Sequence, residues 1–206
     1  MLAASLIKRG IDVITTREPG GTPLGRQLRK AFLESDETVS PMAELLAFAA
    51  DRAQHVDYLI RPALERGQIV ISDRFADATF AYQGAGRGFS VEKVSQVIDL
   101  ATGGLKPDLT LFLDIPVETA CSRMAIRDGS QSTKNRMDEE TPAFYARVRD
   151  AYHSIAQREP ARFIVIDAAG PVEYIQKLIE EAVAPILGHP NSEDEQLEES
   201  ARRVIS

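Results

Sequence analysis

Residues 68–74 read Gln-Ile-Val-Ile-Ser-Asp-Arg. Ile69, Val70 and Ile71 follow one another without a polar face, so the run is predicted as a strand buried on both sides, the mark of a parallel sheet. Gly67 stops the helix before it. That helix starts at Pro41, with Ser40 as its cap and proline in the first helical position. Further strands are predicted over residues 11–16, 109–114 (LTLFLD) and 162–166 (RFIVI). Helices are predicted over 23–33, 91–101, 117–127, 141–158 and 171–187, and residues 2–9 read as a helix end stopped by Gly10. Gly84, Gly86 and Gly88 mark a loop. Strands that alternate with helices argue for an α/β fold with a parallel sheet flanked by helices.

The chain has 206 residues, which fits one domain with a small appendage. The acidic excess of 31 over 24 basic residues gives a net charge of −7, which argues against a nucleic-acid binder. One cysteine, Cys121, excludes a disulfide framework and a cysteine-based zinc site, and is read as packing in a reducing, cytoplasmic setting. No apolar run reaches the length of a membrane span. His55, His153 and His189 lack metal-ligand spacing. Five of residues 189–206 are acidic (193, 194, 195, 198 and 199). That stretch is expected to be a solvated, disordered tail outside a domain formed by residues 1–188.

In a doubly wound sheet, ligands bind beyond the C-terminal ends of the strands. Arg17-Glu18, Asp73-Arg74, Asp114 and Asp167 all fall there. Asp73-Arg74 is the candidate for function, because an Asp at the end of a buried strand can orient Mg²⁺ in a nucleotide kinase. Asp114 and Asp167 are read as loop or capping residues. Arg17, Arg29, Arg52, Arg74 and Arg87 lie in the first half, and Arg123, Arg127 and Arg136 flank a polar stretch at 128–135. Arginine is permanently charged and binds phosphate bidentately, so these side chains can gather positive potential in one pocket of an acidic protein. Phe48 and Arg52 form an i,i+4 pair able to stack on a base and donate to its carbonyl.

Together these residues resemble the bacterial thymidylate kinase family. Residues 16–25 (TREPGGTPLG) are similar to its loop after the second strand. Asp73-Arg74-Phe75 resembles its Asp-Arg-aromatic motif, and residues 81–88 (AYQGAGRG) its Ala-Tyr-Gln-Gly stretch. Residues 106–110 (KPDLT) and 165–168 (VIDA) match as well. The resemblance implies a P-loop-kinase-like fold that transfers the γ-phosphoryl of ATP to dTMP with Mg²⁺, in a cytoplasmic homodimer. Carried over by position, it implies that Phe48 stacks on thymine and that Arg52, Thr79 and Gln83 contact the base. Glu18, Arg29 and Arg74 would surround the dTMP phosphate. Asp73 would hold Mg²⁺ through water, with Glu18 a second candidate. Residues 123–138 correspond to the lid. Arg123 and Arg127 would face the nucleotide donor there, with Arg74, Arg127 and Arg136 as the catalytic charges.

The family opens on a strand and a Gly-x-x-x-x-Gly-Lys-Ser/Thr loop that cradles the ATP phosphates. This sequence contains no such run, and Met1 aligns inside the helix that follows it. The expectation is an incomplete copy of an active enzyme, its central strand missing and two sheet edges left unpaired. The alternatives are a binding or interaction protein that holds dTMP without turnover, and a kinase for another nucleoside or nucleotide.

Overall fold

The computed structural model describes residues 1–35, 37–128, 136–187 and 203–206. Helix α1 (Leu2–Lys8) leads into strand β1 (Val13–Arg17), and Gly10 makes the turn between them at φ 81°. Helix α2 (Pro23–Leu33) is capped by the Thr22 hydroxyl, and α3 (Pro41–His55) by that of Ser40. The long helical stretch from Pro41 is not uniform. It passes through a π turn at Val56–Ile60 before α4 (Arg61–Glu65). Strand β2 (Ile69–Asp73) follows, then α5 (Ala76–Thr79). Phe80–Gly86, which takes in Gly84 and Gly86 of the expected loop, is a π-helical segment. Gly86 is needed there, because a Cβ would collide with the Phe144 ring. The remaining elements are α6 (Val91–Thr102), β3 (Thr110–Asp114), α7 (Val117–Asp128), α8 (Pro142–Arg158), β4 (Phe163–Asp167) and α9 (Val172–Val183). A last strand, β5, spans Arg203–Ile205.

The predicted strands shift by one or two residues and all pair in parallel. Val13 to Arg17 face Ile69 to Asp73, and Thr110 to Asp114 face Phe163 to Asp167. The terminal strand corrects the expectation of a solvated tail. Arg203, Val204 and Ile205 lie beside Ile69, Val70 and Ile71 of β2. On the other side Ile205 bridges Leu109, the Ser206 N–H donates to Leu109 O at 2.7 Å, and Leu111 N–H donates to Ser206 O at 2.6 Å. Val204 N–H also donates to Asp108 Oδ2 at 2.7 Å. The strands therefore run β1-β2-β5-β3-β4, and β5 fills the centre where unpaired edges were expected. The acidic stretch at 189–202 lies outside the described residues.

Alternation explains why three residues suffice to join the halves. Val204, 1% exposed, packs with Val56, Ile60, Val70, Phe75, Val94 and Ile98 on one face. Ile205, 2% exposed, packs with Ile69, Leu109 and Val183 on the other, beneath α1 and α9. Helix α8 seals the π segment through Ala81, Phe144 and Val148. Beyond the end of β5 lies a cavity of about 730 Å³, bordered by Asp73, Arg74, Leu113, Arg123 and Ser206. Among the described residues no helix is long and apolar enough to cross a membrane.

Candidate active site

The loop after β1 owes its shape to its residue types. Gly20 adopts φ 106°, and its N–H donates to Asp51 Oδ1 at 3.0 Å. A side chain at Gly21 would run into His55, and one at Gly25 into Asp51. The Gly-Gly-Thr-Pro-Leu-Gly sequence is therefore what lets the loop lie against α3. Asp51 is 1% exposed, and its Oδ2 is the one buried side-chain polar atom among the described residues without a hydrogen-bond partner. Burial pushes the Asp51 carboxyl above its ordinary value, against the opposing pull of the Gly20 N–H.

Glu18 points inward from this loop. Arg52 Nε donates to its Oε2 at 2.8 Å, and His55 Nδ1 lies 2.8 Å from its Oε1. The other ring nitrogen of His55 is 2.7 Å from the Thr16 hydroxyl. Both oxygens are engaged at 5% exposure, so Glu18 holds Arg52 and His55 in place, and it borders the same cleft as Arg52. Arg52 also donates to the Thr79 hydroxyl at 2.8 Å and to Phe75 O at 3.1 Å. Phe48, one turn earlier on α3, stands half-buried with its ring edge-on to Phe32 at 4.9 Å. Phe48, Arg52, Thr79 and Gln83 thus line one narrow cleft, together with Glu18, Arg74, Ala78, Tyr82 and Met137.

A cationic group adjoins this cleft. Arg17 and Arg74 leave the ends of β1 and β2, which lie side by side in register. Arg29 reaches back from α2 to Pro19 O at 3.3 Å. Burial and the like charges of Arg17 and Arg74 hold the Arg29 guanidinium below its usual value, so the three share one field. Arg74 takes φ 71°, rare for a side chain of its size, and sets its guanidinium 4.6 Å from the Tyr82 ring centre. Asp73 is exposed beside it.

Glu44 went unrecognised in the sequence. It is fully buried on α3 and accepts from Gln83 Nε2 at 2.9 Å, Arg87 Nε at 3.0 Å and Arg136 Nη2 at 2.7 Å. Burial pushes its carboxyl up, but the hydrogen bonds from Arg87, Gln83 and Arg136 outweigh that and hold it below the usual range. Its only sequence signal is acid at an i−4 position from Phe48, which suits a first-turn helix acid equally well. Arg136, expected over the transferred phosphoryl group, is anchored on Glu44 and Phe32 O instead. Arg123 is exposed and reaches Ala168 O at 3.3 Å. Arg127 stands in the last turn of α7 and its side chain lies outside the described residues, as do residues 129–135 of the expected lid. Asp114 pairs with Arg149 at 2.6 Å and His153 at 3.0 Å, and Asp167 accepts from the Ala169 N–H at 2.9 Å.

A family model described as thymidylate kinase matches residues 1–179. The thymidylate kinase of Pseudomonas putida (strain W619) is 48% identical over 187 residues, covering 90% of this chain and 88% of that protein. That of Thermomicrobium roseum is 46% identical, covering 91% and 87%. The crystal structure of thymidylate kinase from Ehrlichia chaffeensis superposes with a TM-score of 0.70 at 30% identity, over 89% of this chain and 88% of that one.

Proposed function

The chain belongs to the thymidylate kinase family, which phosphorylates dTMP to dTDP with ATP, and from that premise we propose how its residues divide the work. The carrying observation is that Arg74 lines the Phe48–Arg52 cleft, with Arg17 at the end of the strand paired to its own and Arg29 reaching Pro19 O of the adjoining loop. The dTMP phosphate sits among these guanidinium groups, and thymine lies against Phe48 with Arg52 donating to a base carbonyl. A phosphate oxygen then attacks the γ-phosphorus of ATP as the bond to the β-phosphate oxygen breaks. Such transfer needs positioning and charge neutralisation more than covalent chemistry. Arg74, at the end of β2, supplies both. Arg123 extends the positive field along α7 toward the nucleotide donor, the role that the family resemblance also assigns to Arg127.

Asp73 suits Mg²⁺ held through water. It is one exposed carboxylate at a strand end, and among the described residues no cluster of three ligating side chains exists to strip the ion of its shell. Bound there, the ion would neutralise charge on the phosphates.

Homodimer formation through helices belongs to the same reading, supported by the apolar side chains of Leu46 on α3, Tyr58 in the π turn and Leu100 on α6, exposed by 53%, 75% and 86%. So does a cytoplasmic location, supported by the family's nucleotide substrates and the single free Cys121. Calorimetric titration with dTMP, alongside Arg74→Ala, tests the phosphate site. Loss of affinity in the variant is expected, and equal affinity would refute the assignment. Sedimentation tests the dimer.

A further inference from the structure

We infer that Glu44 is a specificity-determining positioning residue: by accepting from the Gln83 amide it turns the Gln83 carbonyl toward the base, so that the cleft selects a pyrimidine with an N3–H. The inference rests on the thymine reading of this cleft and deepens it.

Glu44 is 0% exposed, and both of its oxygens accept charge-assisted hydrogen bonds, from Arg87 at 3.0 and 2.9 Å and from Arg136 at 2.7 Å. A carboxylate in that setting has acceptors only. The Gln83 edge 2.9 Å away must therefore be the NH₂ group. The opposite flip would press two acceptors together in a buried place and take the amide's donor away from Glu44, an error of roughly 1–3 kcal/mol. The amide orientation is thus fixed by chemistry. Gln83 Oε1 is left over. No described group donates to it, yet it is not among the fully buried atoms without a partner, so it opens onto the cleft that Gln83 shares with Phe48, Arg52 and Thr79.

The cleft wall accordingly offers a donor, Arg52, beside an acceptor, Gln83 Oε1. Thymine and uracil present the complement, a carbonyl O4 beside N3–H. Cytosine presents an amino group beside a bare N3, and so meets donor with donor and acceptor with acceptor. A guanine edge has the thymine order and is separated by its size. Arg136 shares Glu44, so a residue of the expected lid is tied to the same carboxylate that orients the base contact.

The test is equilibrium binding of dTMP and dCMP, which needs no turnover. Wild type is expected to favour dTMP by at least about tenfold, the scale of rejecting a ligand that leaves a buried polar group unpaired. In Glu44→Gln the neighbouring amide can offer either edge, Gln83 can turn, and the dTMP/dCMP ratio should narrow at least about fivefold, with dCMP affinity held or improved. Arg87→Lys, which disturbs the same carboxylate without freeing the Gln83 amide, should leave the ratio unchanged. Equal weakening of both ligands in Glu44→Gln would make Glu44 merely structural and overturn the inference while leaving the thymine cleft intact. A wild type without preference would overturn both. If Glu44→Gln shows no cooperative unfolding, Glu44→Asp keeps the charge for the arginines, draws the oxygens away from Gln83, and is read by the same ratio.

Discussion

Arg52 and Glu18 meet at 2.7 Å with each side chain only 2% exposed, joining α3 to the loop after β1. The pair is tolerated because His55 takes the second carboxylate oxygen and Thr79 and Phe75 take further guanidinium donors. Removing one partner leaves the other charge buried and alone. Glu18→Ala is therefore expected to cost about 3–5 kcal/mol, and Glu18→Ala with Arg52→Ala less than the two changes summed. Denaturant midpoints measure it. A loss under about 0.5 kcal/mol would mean that the pair is solvated in solution.

Arg74 combines a job with a strained backbone. Its φ of 71° lies in the left-handed region that only glycine enters freely. Arg74→Ala and Arg74→Gly both remove the guanidinium, so each should lower kcat/KM by 100-fold or more, about 3 kcal/mol in transition-state binding. They should differ in stability, with the glycine variant more stable than the alanine variant by about 1 kcal/mol. Equal stability would show that the loop relaxes around any residue.

Much of this was legible in the sequence. β2 was readable because three β-branched residues in a row leave no polar face, and Phe48 with Arg52 because helical spacing fixes their common face. The Arg-Glu-Pro-Gly-Gly loop was readable as important, but not the pairing of Glu18 within it, because its partners Arg52 and His55 lie more than thirty residues away. Glu44 was hidden because its three partners, Gln83 and Arg87 from one stretch and Arg136 from another, lie some forty to ninety residues further along the chain. β5 was hidden because Val204 and Ile205 make too short a run for periodicity to register, and because the charged stretch before them dominates the composition.

The position of β5 gives a sharp expectation for the end of the chain. Val204 and Ile205 face opposite cores, so each reports on a different layer. Ile205→Ala should cost about 2–5 kcal/mol as a core truncation. Val204→Asp should cost more, since it buries a carboxylate with no partner. Hydrogen exchange should show Val70 and Ile71 protected in wild type and opened in Val204→Asp. Unchanged protection and midpoint would mean that the terminal strand does not hold the sheet together.

Asp51 sets a pH dependence opposite in sign to that of Glu44. The Asp51 carboxyl is raised, chiefly by burial, so the folded state binds its proton more tightly than the unfolded chain does. Its contribution to stability is complete below the unfolded value of about 3.9 and is lost as pH rises through the raised folded value. Glu44 is lowered, so its contribution is present above its unfolded value and is lost as pH falls through the depressed folded one. Asp51→Asn keeps an oxygen for the Gly20 N–H and holds the neutral form at every pH. The variant should therefore match wild type near pH ~4, and exceed it by a margin that grows as pH rises to neutrality. Denaturant midpoints of both proteins across that range measure the margin. A variant less stable than wild type at neutral pH would show that Arg52 and His55 draw more from the ionised carboxylate than burial takes away.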